Sequence, residues 1–256
     1  MKKNAWTDDE MILSLNLYYK LPFGRLNKAT PEVKELAELI GRTPSSVALR
    51  LVNYAACDPF IVNSGRKGMI SGIGKCKPYW DLFVNNTEEL FLRAENIKAS
   101  LLKKPIEDIL NFNSSDFIGK EKDVVIKQRI NQNSFRSIIL ANYNEQCAIS
   151  GICIPNLLIA SHIIPWADDV NNRLNPSNGI CLSPLYDKAF DRGFIAIRPE
   201  DFTIIFSKEL KSFKNYDFYK NCFLPFEDKP ISLPNKHQPN PSFLSYHIDN
   251  IFQKHN

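Results

Sequence analysis

The sequence predicts an α+β protein, with a helical N-terminal domain that contains a helix-turn-helix-like pair and a C-terminal module of two short strands and a helix. Three features carry this expectation. Capped helix starts crowd residues 7–55, and charged helical sequence follows to about residue 131. An isoleucine-rich run holding His162 then precedes an asparagine-rich loop, a second apolar run and an acid-bearing helix. The expected divisions are 1–85 (helical domain), 86–131 (helical connector) and 132–256 (the ββα module with a C-terminal extension).

Thr7-Asp8-Asp9-Glu10 has the form of a capping box ahead of the stripe Met11, Leu15, Tyr18. Thr30-Pro31 and Thr43-Pro44 repeat another start device, an N-cap hydroxyl followed by proline where its missing N–H costs nothing. Gly41 falls where a C-cap glycine belongs. Two apposed helices follow from these signals, with apolar faces Val33, Leu36, Ala37, Ile40 and Val47, Leu51, Tyr54, Ala55. Read as a helix-turn-helix, the second helix turns Ser45, Ser46 and Arg50 toward the exposed side, where they can meet a DNA groove and its phosphates. The plainer reading is an antiparallel pair that only packs.

Residues 65–77, GRKGMISGIGKCK, hold four glycines and the cations Arg66, Lys67, Lys75 and Lys77 without an acid. They read as a flexible basic loop, able to follow a phosphate backbone or simply to face solvent. A further amphipathic segment, 135–143, leads into the part that carries chemistry.

LLIASHII is a short apolar run bounded by Pro155-Asn156 and Pro165, and reads as a strand with a histidine in it. A loop with Asn171, Asn172, Asn175 and Asn178 follows, then an apolar run at 179–182 and a helix from about Pro184. Asp187 and Asp191 stand four apart, so both carboxylates leave one helix face. Such a pair is a hard oxygen site for Mg²⁺ or Mn²⁺, or else two surface acids paired with Lys188 and Arg192. A lone histidine on an apolar strand is by itself more often structural than reactive.

SHIIPW, RLNPSNG and LYDKAFDRG, at this spacing, resemble the HNH endonuclease family, in particular a branch of bacterial restriction-like proteins, and the similarity extends closely over residues 135–197. The resemblance implies a ββα-metal fold, a DNA substrate and a single divalent ion at the scissile phosphate. It makes His162 the general base, Asn178 the residue that holds the loop and orients it, and Asp187 with Asp191 the metal ligands, with Ser161 as a further contributor. Two positions depart from the pattern. Ser161 stands where many members have an acid or a second His, and Tyr186 where close relatives often carry His. Arg173 and Arg192 are candidate phosphate contacts or structural salt-bridge partners. The spacing of Cys147, Cys153 and Cys181 does not suit a structural zinc. His237, His247 and His255 lie outside any motif and read as structural or surface residues, and the tail 201–256 reads as a packing extension closed by a helix in SFLSYHIDNIF.

Over 256 residues, 44% hydrophobic and 23% charged composition excludes a disordered or fibrous chain. The net charge of +4 and pI near 8.6 permit a polyanionic partner without requiring one. No stretch approaches the roughly 18 apolar residues of a membrane span, and the acids at 8–10 interrupt any leader-like start, so the expectation is a cytoplasmic protein with no membrane partner. The function these readings favour is a metal-dependent endonuclease acting on double-stranded DNA, of a restriction or phage-defence kind that responds to base modification, with a homodimer as one arrangement. The alternatives are a nicking or homing-type HNH nuclease and a DNA-binding regulator with a degenerate module.

Overall fold

The computed structural model describes residues 5–66, 68–110, 119–234 and 236–252. Helices are mixed with two small antiparallel sheets, and the chain divides into two compact units, Met1–Ile138 and Ile139–Asn256. Among the described residues no helix is long and apolar enough to cross a membrane.

In the first unit, α1 (Asp8–Lys20) starts at the expected capping box. Thr7 Oγ1 accepts from the Glu10 amide at 3.3 Å, and Glu10 Oε2 accepts from the Thr7 amide at 2.9 Å. α2 (Pro31–Leu39) and α3 (Pro44–Ala55) both open on proline, but their caps differ. Thr43 Oγ1 accepts from the Ser46 amide at 3.2 Å, whereas Thr30 donates its hydroxyl to the Arg25 carbonyl at 2.6 Å and makes no side-chain cap. A hydroxyl engaged by a nearby carbonyl is withdrawn from capping. Gly41 takes φ +59° at the turn between the two helices. Val33, Leu36 and Ala37 of α2 and Val47, Leu51 and Tyr54 of α3 are buried where these helices meet each other and α1.

α4 (Pro59–Asn63), α5 (Ile73–Phe83), α6 (Thr87–Leu102) and α7 (Ile106–Ile109) follow. Residues 65–77 are a correction to the sequence reading. A 3₁₀ turn at Ile70–Gly72 leads straight into α5, which holds Lys75 and Lys77, and two of the glycines are there for close contact rather than flexibility. A Cβ on Gly68 would fall 2.3 Å from the Ala56 amide nitrogen, and one on Gly72 would fall 2.2 Å from Asn53 Oδ1. α6 lies in the stretch expected as a connector; it packs on α1 with Leu90, Phe91 and Ala94 buried.

α8 (Lys120–Asn142) crosses the division at residue 138 and absorbs residues 135–142 into one long helix. In the second unit β1 (Ile159–His162) pairs antiparallel with β2 (Gly179–Leu182), placing Ile159 opposite Leu182 and His162 opposite Gly179. The apolar run is strand only at its centre, because Pro155 opens a 3₁₀ turn before it. α9 (Pro184–Asp191) packs against this hairpin. β3 (Ile195–Ile197) and β4 (Ile204–Phe206) form a second hairpin that has no counterpart in the sequence reading, since strands of 3 residues are too short for alternation to register. α10 (Lys208–Lys211), α11 (Asp217–Cys222) and α12 (Pro241–Asn250) complete the unit, and α12 packs on β3 as the closing helix.

Ile180, Cys181, Leu182, Phe190, Ile195, Ile197 and Leu244 are all fully buried in this second unit. Each aliphatic or aromatic side chain so buried contributes about 1.5–3 kcal/mol, which gives the short strands and α9 a firm base.

Candidate active site

β1, β2 and α9 gather Ser161, His162, Asp187, Lys188, Asp191 and Arg192 around a cleft of about 540 Å³. Pro165 and Trp166 form another wall, and His247 and Ile251 close it from the C-terminal segment.

His162 ends β1 at the mouth of the loop 163–178. Its Nε2 lies 3.0 Å from the Arg173 carbonyl oxygen. A carbonyl only accepts, so Nε2 carries the hydrogen and, in the neutral ring, Nδ1 carries the lone pair. Burial lowers the ring's pKa below its ordinary value, with the Arg173 bond acting weakly the other way, so the imidazole is neutral at pH 7. The Trp166 indole stands edge-on to it, with centroids 5.5 Å apart.

Asn178 is 1% exposed and closes the loop at its other end. Its Oδ1 accepts from the Ile164 amide at 2.8 Å, and its Nδ2 donates to the carbonyls of Ile164 and Asn172, each at 3.2 Å. The Ile163 amide also donates to the Asn178 carbonyl at 3.0 Å. Only a primary amide supplies an acceptor and two donors at this reach, which is why asparagine suits the position. Arg173 turns into the loop: Nε donates to the Trp166 carbonyl at 2.7 Å and the guanidinium lies 5.0 Å over the Trp166 ring. Among the described residues it is therefore bound by a backbone acceptor and a cation–π contact, with no ion-pair partner, and it is not held out to solvent. The tail helps to hold the same loop, since Tyr246 donates to Asp168 Oδ2 at 3.2 Å and the Asn240 amide donates to the Ser177 carbonyl at 3.0 Å.

On α9, Tyr186, Ala189 and Phe190 are buried at helical spacing, which leaves Asp187 and Asp191 on the adjoining face toward the cleft. Burial raises the pKa of both carboxyls. The Asp187 charge raises Asp191 further, while the Ser161 hydroxyl and Lys188 hold Asp187 back. Asp191 stands at the rim, open to solvent, so screening weakens the repulsion it feels. Tyr186 leaves the cleft altogether: its hydroxyl donates to the Cys222 carbonyl at 2.6 Å and its ring packs on Phe223 and Phe226.

Besides the imidazoles of His162 and His247, the donors at the cleft are oxygens: two carboxylates and the Ser161 hydroxyl, buried without a well-formed hydrogen bond among the described residues. Such a set fits Mg²⁺ or Mn²⁺. Among the described residues no group of three or more His, Cys, Asp or Glu is arranged as a complete metal cage. Mg²⁺ commonly takes one or two carboxylates and completes its shell with water and substrate phosphate, so two carboxylates suffice. Cys147 serves as an acceptor, its Sγ receiving the amides of Ser183 at 3.2 Å and Ser150 at 3.4 Å.

The other expected contacts lie in the first unit. Ser45 is exposed and Ser46 half-exposed on α3. Arg50, expected on the exposed side, is buried at 7% exposure, 4.6 Å over the Trp6 ring and with Nη1 3.4 Å from Cys76 Sγ. It follows Val47 by three and precedes Leu51 and Tyr54 on one helix face, so its stem belongs to the core side. Arg66 is exposed and lies 5.4 Å over the Phe23 ring. Lys75 and Lys77 are exposed on α5, the latter paired with Asp81 at 2.9 Å. Lys67 and His255 lie outside the described residues.

The sequence reading missed His247, which reaches the cleft from the tail. Its signal was available in the spacing Leu244, His247, Ile251, which puts the histidine on the helix face that packs inward.

His162, at the end of β1, thus shares one cleft with the paired carboxylates of α9. Residues 147–198, about a fifth of the chain, match the family described as HNH endonuclease, a stretch that contains β1, the loop, β2, α9 and β3. HNH nucleases generally use divalent metal ions. No curated protein matches the chain.

Proposed function

We propose that this protein is an endonuclease that hydrolyses phosphodiester bonds of double-stranded DNA with Mg²⁺ or Mn²⁺. The observation that carries the reading is the His162–Arg173 bond, which leaves the lone pair on Nδ1 of a neutral ring in the same cleft as Asp187 and Asp191. In this reading His162 takes the proton from the attacking water, and Asn178 holds the loop that orients it. Asp187, Asp191 and Ser161 hold the cation, while Lys188 and Arg192 meet phosphate oxygens at the rim. The bound ion supplies charge neutralisation at the phosphate and at the leaving oxygen. Arg173 acts through the loop rather than on the substrate.

The α2–α3 pair, with Ser45 and Ser46 outward, and the cations Arg66, Lys75 and Lys77 are proposed to select and hold DNA. That division of labour suits a restriction or phage-defence enzyme that responds to base modification, and a homodimer would cut both strands of a symmetric site. The turning away of Tyr186 favours one other reading, a DNA-binding regulator whose HNH module is degenerate.

The test is incubation of the wild type and His162→Ala with Mg²⁺ and plasmid DNA that is unmodified, methylated or hydroxymethylated. The wild type is expected to cut at least one substrate, with His162→Ala slower by about 10²–10⁴-fold. No cutting of any substrate favours the regulator, and equal cutting by both proteins overturns the assignment of the base. Nicked against linear product separates single-strand from double-strand cleavage.

A further inference from the structure

The cleft contains a second imidazole that the proposed reaction leaves unused. His247, on α12, is 1% exposed, and its ring stacks on Phe190 with centroids 3.7 Å apart and planes at 9°. Its Nε2 lies 3.0 Å from the Phe190 carbonyl oxygen, so Nε2 carries the hydrogen. Nδ1 is buried without a hydrogen-bond partner among the described residues. Burial pushes the ring's pKa down to about 4, which keeps it neutral near pH 7.

An imidazole with one orphaned nitrogen is a poor choice for packing alone. A phenylalanine or leucine would fill similar space and leave no polar atom desolvated. What histidine adds is the N–H directed at Phe190. That carbonyl lies in the last turn of α9 and also receives the Gly193 amide at 2.9 Å. His247 thus grips the backbone one residue before Asp191 and the ring three residues after Asp187.

We propose that His247 is a positioning residue, whose Nε2–H and ring face hold the last turn of α9 so that Asp187 and Asp191 present their carboxylates together to a divalent cation. The inference rests on the proposed reading of those aspartates as cation ligands.

The test is Mn²⁺ binding to the full chain, followed by electron paramagnetic resonance with and without DNA, alongside plasmid cleavage as a function of Mn²⁺ concentration. The proteins are the wild type, Asp187→Asn, His247→Gln, His247→Phe, His247→Asn and Leu244→Ala. The glutamine amide can reach the place of Nε2, so His247→Gln should bind Mn²⁺ within about two-fold of wild type. His247→Phe keeps a ring but loses the donor, and should weaken binding about ten-fold while raising the Mn²⁺ concentration for half-maximal cleavage by a like factor. Leu244→Ala lowers stability in the same helix and should leave Mn²⁺ affinity unchanged. Wild-type affinity in His247→Phe, or an equal loss in Leu244→Ala, overturns the inference. Should His247→Phe fail to fold, the pair His247→Gln and His247→Asn decides: asparagine is too short to reach Phe190, and equal affinities in the two overturn it. A wild type that binds no Mn²⁺, or Asp187→Asn binding as tightly as wild type, overturns the ligand reading and this inference with it.

Discussion

The Nε2 nitrogen of His162 lies 3.0 Å from the carbonyl oxygen of Arg173, a residue eleven positions further along the chain. The bond determines which ring nitrogen can act as a base, and burial determines over what pH it can do so. Because the ring's pKa is lowered, it stays neutral to more acid pH than a free imidazole, whose pKa is about 6.5. A base works in its neutral form, so kcat/KM should hold as pH falls below about 6.5 and drop only further down. The pH profile of cleavage at saturating Mg²⁺ checks this, and a drop centred above about 6.5 would contradict it.

Asn178 makes three side-chain hydrogen bonds to the backbone of its loop. Asn178→Leu removes all three and leaves the Ile164 amide without its acceptor inside the protein. Each buried group left unsatisfied costs about 1–3 kcal/mol, so the variant should unfold several kcal/mol more easily, and what remains folded should cut poorly. Urea unfolding and cleavage rates measure the two effects.

Asp187 and Asp191 carry the opposite expectation. Both carboxyls are less acidic than usual, burial being the main cause, so their charge works against folding at neutral pH in the metal-free protein. Asp187→Asn should leave the melting temperature unchanged or slightly raised while abolishing cleavage. A marked fall in melting temperature would show that the carboxylate has a structural partner.

His247 gives a stability signal of defined sign. Its folded pKa of about 4 lies below the unfolded value of about 6.5, so the unfolded chain binds more protons between these limits. The stability it contributes is complete above about pH 6.5 and is lost as pH falls toward 4, to a total of about 3 kcal/mol. The difference in unfolding free energy between wild type and His247→Gln should change across that window, isolating this group from carboxylates that titrate nearby.

Arg50 and Lys75 should separate folding from DNA binding in the first unit. Arg50→Ala loses a buried cation–π contact with Trp6 and should cost about 2 kcal/mol of stability. Lys75→Ala is exposed and should leave stability intact, while lowering the slope of log affinity for DNA against log salt by about one if the lysine meets a phosphate. Chemical unfolding and salt-dependent binding distinguish them.

Much of the site was legible because its signals are local. The apolar run that places His162 in a strand, and the spacing of four that puts Asp187 and Asp191 on one helix face, act over a few residues and survive in the structure. The same holds for the capping box at Thr7 and the N-cap at Thr43, where side chain and amide are three residues apart. Thr30 shows the limit, since a competing carbonyl at Arg25 was invisible in the Thr-Pro pattern.

By itself, then, the sequence determined the capped helices at the start of the chain, the strand–loop–strand–helix order around His162 and the helix face that carries Asp187 and Asp191, because caps and periodicities are short-range properties of the chain. Tertiary structure alone decided which His162 nitrogen is held, that Arg173 ties the loop and that Arg50 is buried. It also packed Gly68 and Gly72 against the C-terminal end of α3 and brought His247 to the cleft from the far end of the chain. Each of these depends on which surfaces meet, and a surface's partner is not encoded within the window of residues that forms it.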